Sequence, residues 1–272
     1  MYKRQIFLNN NTVRVEPADI DLKKVRGAVN FDRYGVRIND LKARWLDHQV
    51  GINGRTRGRD EKAVTTLNVE GALRASDVLV HYESTLDQFV RGKSNWRAEL
   101  SVPHLPEKLE STGISLTIDS DLIGTALLVP APLSKSTASG ENFRLTTNIV
   151  KDETQLSWNF DYSDSINGIF VLEEGKFKSL SVGLGGAKAI AQPDEGIRLD
   201  GSTRAASLGD WVDTINQFRE SLPEPEPDDR DDIVPISGNL TTAALFAGDD
   251  NLGPARLRIN SDDIYLLSLI HI

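Results

Sequence analysis

Apolar and polar residues alternate with a period of two along most of this chain, and this alternation restricts the folds that it can adopt. In WRAELSV at 96–102 and LSWNFDY at 156–162, every second residue is apolar or aromatic. Similar spacing recurs at 25–31, 36–38, 67–69, 114–122, 177–184 and 197–199. Successive side chains of a strand point to opposite faces, so each run gives a strand with one apolar face. Such strands, bounded by Gly, Asn and Asp, predict a mainly β protein with a large antiparallel sheet. One strand is predicted to contain Val36 and Ile38, and a separate one to run from Leu41 to Trp45.

Two segments follow the helical period instead. Residues 76–92, SDVLVHYESTLDQFVRG, place apolar residues at helical spacing after a Ser-Asp pair that can cap the start, and end at Gly92. Residues 207–221 begin with a variant of the capping box, S-L-G-D, and carry a narrow apolar stripe of Trp211, Ile215 and Phe218. We therefore expect two short amphipathic helices, each covering or supporting the sheet.

The organisation of the chain follows from one acidic, proline-rich segment. Residues 223–235 form a predicted linker or loop, since proline cannot join a central strand. Residues 1–222 then form one β region, and residues 236–266 begin a further β segment. The last six residues, 267–272, LSLIHI, match the translation of a transposon-end sequencing adaptor. We expect them to be foreign to the protein and the chain to be a fragment.

Composition excludes several classes of function. The chain has no cysteine, which removes thiol nucleophiles, zinc ribbons, iron–sulfur clusters and disulfides. Because its net charge is −9, we do not expect a broad basic surface that binds nucleic acid. No apolar run approaches the roughly 20 residues of a spanning helix, and the first residues lack the pattern of a signal peptide.

Motifs that would carry chemistry are weak. The glycine-rich 183–189 lacks the spacing of a phosphate-binding loop and is typical of a tight turn. The acidic run at 228–232 lacks the pattern of an EF-hand loop. Three histidines, His48, His81 and His104, show no metal-ligand spacing. We expect no metal and no cofactor.

Two charged clusters have the same weakness. Arg55, Arg57 and Arg59 stand among glycines, where a solvated turn is favoured over a contact to phosphate or a lipid head group. Glu173 and Glu174 could serve a glycosidase only if a cleft brought them together, and adjacent residues of a strand point to opposite faces. We expect no enzyme.

The apolar stripes leave two alternatives open. They could form the closed core of a sandwich, or they could line an open apolar channel. Spacing alone favours the closed core.

Several motifs resemble the YhdP family, large AsmA-like envelope proteins of bacteria related in architecture to TamB. The chain shows these features in the family's order over about residues 20–222. They are V-R-G-x-V-x-F at Val25–Phe31, G-V at Gly35–Val36, W-x-A-x-L at Trp96–Leu100, S-D-L-x-G at Ser120–Gly124 and P-A-P-L-x-K at Pro130–Lys135.

The resemblance implies an extended, curled β-sheet whose apolar concave face forms a groove. The groove would shield phospholipid acyl chains that move between the inner and outer membranes, supporting the permeability barrier of the outer membrane. The protein would be periplasmic and anchored to the inner membrane by a segment outside this fragment, with an unknown partner at the outer membrane. No catalytic residue is implied. Because the chain is acidic, the acyl chains rather than the head groups would supply the affinity.

We predict ten residues that line this groove: Val36, Ile38, Leu67, Val69, Ile114, Leu116, Ile118, Leu156, Trp158 and Phe160. The alternatives are a structural or interaction domain of the envelope with a closed core and no ligand, and a carbohydrate-active enzyme with two carboxylates in a polar cleft.

Overall fold

A computed structural model gives the fold of the chain. It describes residues 4–15, 19–105, 113–150, 153–192, 194–221, 235–260 and 263–267. The first nine strands are β1 (Arg4–Val15), β2 (Ile20–Asp32), β3 (Gly35–Trp45), β4 (His48–Arg57), β5 (Val64–Leu73), β6 (Val90–Gly92), β7 (Ser94–Pro103), β8 (Ile114–Ser120) and β9 (Thr125–Leu127). The next nine are β10 (Phe143–Ile149), β11 (Gln155–Tyr162), β12 (Ile166–Glu173), β13 (Lys176–Leu184), β14 (Gly196–Thr203), β15 (Ala206–Ser207), β16 (Ile236–Ala247), β17 (Asp250–Asn260) and β18 (Asp263–Leu267). The helices are α1 (Ala75–His81) and α2 (Leu208–Ser221), with 3-10 turns at Asp60–Lys62 and Thr85–Phe89.

One large, curled sheet dominates the structure and confirms the predicted fold class. Its strands follow the order β1-β2-β3-β4-β5-β7-β8-β10-β11-β12-β13-β14-β16-β17-β18, and β15 pairs with β16. Strands β6 and β9 form a separate pair. Neighbours are antiparallel up to β13, but β14 runs parallel to both β13 and β16. The sheet is therefore mixed, because the crossover between β14 and β16 carries α2 and returns the chain in the same direction.

The register of the strands aligns apolar residues across the whole sheet. One row of directly paired residues, which we call the central row, crosses thirteen strands. It consists of Ile6, Val29, Ile38, Gly54, Leu67, Leu100, Leu116, Thr147, Trp158, Phe170, Leu180, Ile197 and Ile236. Residues that pair directly share a face of the sheet, so this row defines one apolar face.

A β-bulge explains why one strand was predicted as two. The prediction separated Val36–Ile38 from Leu41–Trp45, whereas the structure has a single strand, β3. Its register to β4 shifts between Ile38 and Leu41, and Asp40 has a left-handed φ of 51°. The extra residue returns Leu41 to the apolar face, which the unbroken alternation would have placed on the polar one.

The first predicted helix is wrong in its length. Helix α1 ends at His81, and Glu83 has a left-handed φ of 55°. Ser84 then accepts a hydrogen bond from the backbone N–H of Leu86 (3.4 Å) and begins the 3-10 turn, which leads into β6. Local hydrogen bonding by a serine thus competes with continuation of the helix.

The second helix forms nearly as predicted. Ser207 Oγ accepts a hydrogen bond from the backbone N–H of Asp210 (3.3 Å), which is half of a capping box. The side chain of Phe218, part of its predicted stripe, lies outside the described residues.

Two clusters of buried residues form most of the core on the apolar face. One lies on β2, β3 and β4 and contains Val25, Leu41, Ala43, Val50 and Ile52. The other joins Leu122, Tyr162, Ile166 and Leu184.

The predicted linker at 223–235 lies outside the described residues except for Pro235, as do residues 268–272 of the predicted adaptor sequence. Residues 236–260 continue the same sheet through the pairing of β14 with β16.

Substitution of Gly168 by alanine should test the packing of the apolar face. A Cβ atom at Gly168 would lie 2.2 Å from the ring of Phe160, its direct partner on β11. We expect the free energy of unfolding to fall by about 1–3 kcal/mol, because the ring has to leave its position. Urea denaturation measures the change.

Gly51→Ala is the matched control, since the nearest atom outside the adjacent residues to a Cβ atom there is the flexible Nζ of Lys42, at 3.6 Å. Equal losses of stability in the two variants would contradict the packing argument.

Candidate functional site

All ten residues predicted to line a groove lie on the same face of the sheet. Ile38, Leu67, Leu116 and Trp158 belong to the central row. The other six lie in the two rows beside it. Val69, Ile118 and Phe160 lie on one side, and Val36, Ile114 and Leu156 on the other.

Exposure rises across this face from one edge to the other. At one edge, the side chains of Tyr162, Ile166 and Leu184 are buried. The ten predicted residues are all partly exposed, and none belongs to the buried core. At the opposite edge, Ile149 is 41% exposed and Phe177 39% exposed. The face is therefore covered along one edge and opens toward the other.

A layer of short elements covers the buried edge, and we call it the lid. It comprises α1, residues 85–92, the segment 121–140 and α2. Leu122, Leu127 and Leu133 of the lid pack against the cluster that contains Tyr162. The apolar run LIGTALLVPAPL at 122–133 therefore packs on the sheet through these three leucines, whereas Ile123 and Leu128 are exposed.

Hydrogen bonds join the parts of the lid. The backbone N–H of Leu128 donates to the carbonyl of Phe89 (2.8 Å), and the indole N–H of Trp211 donates to the carbonyl of Ala131 (3.0 Å). The amide of Gln217 donates to the side-chain oxygen of Gln88 (3.2 Å). Helix α2 thus contacts the segment that precedes β6, at Gln88, and the segment that follows β9, at Ala131.

Lys135, the last residue of the P-A-P-L-x-K motif, is buried inside the lid. Its Nζ donates to the carbonyl oxygens of Leu122 (2.7 Å), Thr125 (2.8 Å) and Ser136 (2.9 Å). Burial lowers the pKa of this ammonium group, and the nearby carboxylates of Glu141 and Asp121 oppose that shift. The lysine thus joins three carbonyls of the lid. Two of them also accept a second hydrogen bond, Leu122 from the backbone N–H of Thr125 (3.0 Å) and Ser136 from the hydroxyl of Ser139 (3.1 Å).

The histidines connect structural elements. His48 Nε2 lies 2.7 Å from Asp77 Oδ2, which ties β4 to α1 and uses the carboxylate predicted as a helix cap. His81 Nε2 lies 2.9 Å from the carbonyl of Asp19, and His104 Nε2 lies 2.7 Å from Thr65 Oγ1. No group of three or more His, Asp or Glu side chains suited to a metal ion occurs among the described residues.

The carboxylates considered for hydrolysis have other partners. Glu173 accepts hydrogen bonds from Gln155 (2.6 Å) and Lys178 (3.1 Å), and these bonds lower its pKa. A general acid requires the opposite shift. Glu174 lies at the turn after β12 and has a left-handed φ of 51°.

The opposite face of the sheet is polar. A row of alternating charge crosses β5, β7, β8, β10 and β11 through Glu70, Arg97, Asp119, Arg144 and Asp161. Arg97 binds Glu70 at 2.9 Å and Arg144 binds Asp119 at 2.6 Å. These side chains line an open depression of about 1100 Å³.

The arginine cluster was wrongly assigned to a turn. Arg55 and Arg57 belong to strand β4 and point to the polar face, opposite Thr66 and Val64 of β5. Only Arg59 lies in the connection after the strand, with its guanidinium carbon 4.8 Å from the centre of the Tyr34 ring.

Sequence reasoning missed further residues of the apolar face. Leu100, Phe170, Leu180 and Ile197 share the central row with the predicted residues. Leu100 and Ile197 stand in runs with the same alternation, so the sequence contained enough information to place them on this face. Phe170 lies in INGIFVLE, where apolar residues on both faces obscure the period.

The fold and this face together define a protein built on one large curled sheet that does not close into a barrel, apolar on one face and polar on the other. The chain belongs to the YhdP family, because the sequence profile described as YhdP protein matches residues 4–264. Searches of curated proteins and of solved structures return no match. Membership fits a role in the cell envelope or in lipid transport in general terms. Among the described residues, no helix has both the length and the hydrophobicity needed to cross a membrane.

Removal of the Tyr162 hydroxyl should change how stability depends on pH. This side chain is 6% exposed, and its hydroxyl donates to the carbonyl of Leu133 in the lid (3.2 Å). Burial, followed by the charge of Glu141, raises the pKa of Tyr162 in the folded protein. The unfolded chain therefore loses this proton first, and the stabilisation declines as pH rises from about 10 through the higher folded pKa.

Tyr162→Phe should cost about 1 kcal/mol at neutral pH. The difference in unfolding free energy between wild type and variant should then shrink above about pH 10. A difference that stays constant to higher pH would contradict the argument.

Lys135→Met should destabilise the lid. Three carbonyl oxygens would lose their shared donor, so we expect a loss of about 3 kcal/mol in the free energy of unfolding. Lys93→Met, at an exposed position, is the control and should change stability by less than about 0.5 kcal/mol. Similar losses in both variants would show that Lys135 does not have this role.

Proposed function

We propose that this chain forms part of a groove that shields the acyl chains of phospholipids as they move between the inner and outer membranes of a bacterium. The observation that carries the proposal is the central row, which spans thirteen strands and is apolar and at least partly exposed at every position except Gly54 and Thr147. Membership of the YhdP family supports it.

The energetics of acyl chains suit such a face. Removing a hydrocarbon chain from water stabilises it by about 0.8 kcal/mol for each buried CH₂ group. Because nine of the thirteen positions of the central row are Val, Leu or Ile, an acyl chain that moves along it exchanges most contacts for similar ones. A deep, specific pocket would instead trap the lipid.

The exposure of the ten predicted residues counts against a closed core. A domain with no ligand would seal its apolar stripes between two layers, as in a sandwich. The lid covers the edge with Tyr162 and leaves Ile149 and Phe177 exposed at the other. Contiguous apolar residues that stay partly exposed on one face are typical of a binding site.

The proposal includes a location and partners. The full-length protein would be periplasmic and anchored to the inner membrane by a segment outside this chain, with a partner at the outer membrane. It would bind lipid without catalysis, cofactor or nucleic acid. Fractionation of cells that express the tagged full-length protein would contradict this location if the protein appeared in the cytosol.

Site-specific photocrosslinking in the full-length protein in cells tests the groove. A photoreactive amino acid at Leu116 should capture phospholipid, because this side chain lies in the central row between Leu100 and Thr147. The same amino acid at Thr117 is the matched control, since Thr117 is the next residue and points to the polar face, opposite Glu99 and Thr146. Mass spectrometry of the adducts identifies the captured molecule.

We expect phospholipid adducts several-fold more abundant at Leu116 than at Thr117. Crosslinks from Leu116 to protein residues alone would favour the closed core. Equal capture at both positions would contradict the assignment of the apolar face.

A further inference from the structure

Cations face each other directly on the polar surface of β2, β3 and β4. The register pairs Lys23 with Arg44, Arg26 with Lys42, and Arg37 with Arg55. Like charges in directly opposite positions destabilise a sheet. Three such pairs on neighbouring strands, in a chain whose net charge is −9, concentrate positive charge on one surface and oppose the pairing of these strands.

Most of these cations have no acidic partner. Within the described residues, the ion pairs include Lys42 with Asp40, but none involves Lys23, Arg26, Arg37, Arg44 or Arg55. All of them are exposed. Arginines elsewhere on the same face, such as Arg97 and Arg144, do have carboxylate partners. We define the basic face by seven cations of β2, β3 and β4: Lys23, Arg26, Arg37, Lys42, Arg44, Arg55 and Arg57.

The basic face contains a depression with arginines in its walls. A depression of about 300 Å³ is lined by Arg37, Arg55 and Arg57, with Asn39, Asn53 and one carboxylate, Glu99, among its other walls. Guanidinium groups bind phosphate oxygens in a bidentate manner, and side-chain amides add donors.

An exposed aromatic residue lies among the cations. Phe7 of β1 is 74% exposed and pairs with Ala28, so that it stands on the polar side of the sheet. On one side, its row adjoins the row of Asn30 and Arg37, and on the other that of Arg26. Exposure of this phenyl ring to water is unfavourable, whereas the boundary between lipid head groups and acyl chains is a favourable environment for it.

We propose that the basic face docks on the surface of a bilayer that contains anionic phospholipids, with Phe7 entering the head-group region. The arginines bind lipid phosphates, and the approach of anionic charge relieves the repulsion within the three like-charged pairs. An acidic protein would satisfy the cations but gives Phe7 no apolar environment. This docking concerns the face opposite the groove and does not depend on the proposed lipid transport.

Flotation of the purified chain with vesicles tests the proposal. The wild type should float with vesicles of phosphatidylcholine and phosphatidylglycerol but not with phosphatidylcholine alone, and added salt should weaken the binding. The double variant R37Q/R55Q should partition about 10- to 30-fold more weakly. Its melting temperature should rise, because a like-charged pair is removed.

The variant R97Q/R144Q is the matched control. It removes the same charge from the same face, but from arginines that Glu70 and Asp119 already neutralise, and so it should keep its vesicle binding. Phe7→Ser should weaken binding without changing its dependence on salt.

Three outcomes would overturn the proposal. If the wild type does not bind the anionic vesicles, an acidic protein becomes the better candidate for the partner of the basic face. Equal losses in both arginine variants would show a general effect of net charge. Equal binding to both kinds of vesicle would point to exposed apolar surface of the groove instead. Crosslinking at Leu116 is independent of all three.

Discussion

The register of the backbone hydrogen bonds is the constraint on which the two faces of this sheet depend. A slip of one residue in any strand would move its apolar side chains to the polar face. Bulges at Lys24 in β2 and at Asp40 in β3 keep the apolar residues on either side of them on the same face of the sheet. These two residues have left-handed φ values of 52° and 51°, respectively. The separation of apolar and polar surfaces is thus a property of the whole pairing pattern rather than of any one contact.

The alternation predicted the faces better than it predicted the elements. A run such as LSWNFDY assigns Leu156, Trp158 and Phe160 to one surface whatever their partners are, so the predicted lining residues share a face. The same reasoning divided β3 at its bulge, because an inserted residue looks like the end of a strand. It also extended the first helix past Glu83, since helical spacing of apolar residues does not reveal a left-handed residue. The path of the lid and the parallel strands around β14 depend on contacts distant in sequence, which spacing does not contain.

The polar face carries charge in two different arrangements. From β5 to β11 the sign alternates from strand to strand, so that each arginine stands between carboxylates and the strands attract one another. From β2 to β4 cations stand opposite cations. Exposed ion pairs contribute little, about 0–1 kcal/mol each, so the first arrangement is only a modest source of stability. The second opposes the pairing of β2, β3 and β4, and the buried cluster of Val25, Leu41 and Ile52 on the other side of the same strands offsets it.

The lid allows the sheet to fold stably while part of its apolar face stays accessible. An apolar face that stays accessible adds little to stability, because folding removes little of it from water. The protein therefore concentrates burial at one edge, where Leu122 of the lid packs on Tyr162 and Leu184 of the sheet and Lys135 donates to carbonyls of the lid. A lid across the whole face would add stability and bury the apolar surface completely. With burial at one edge and exposure at the other, the same strands supply both a rigid frame and an accessible apolar surface.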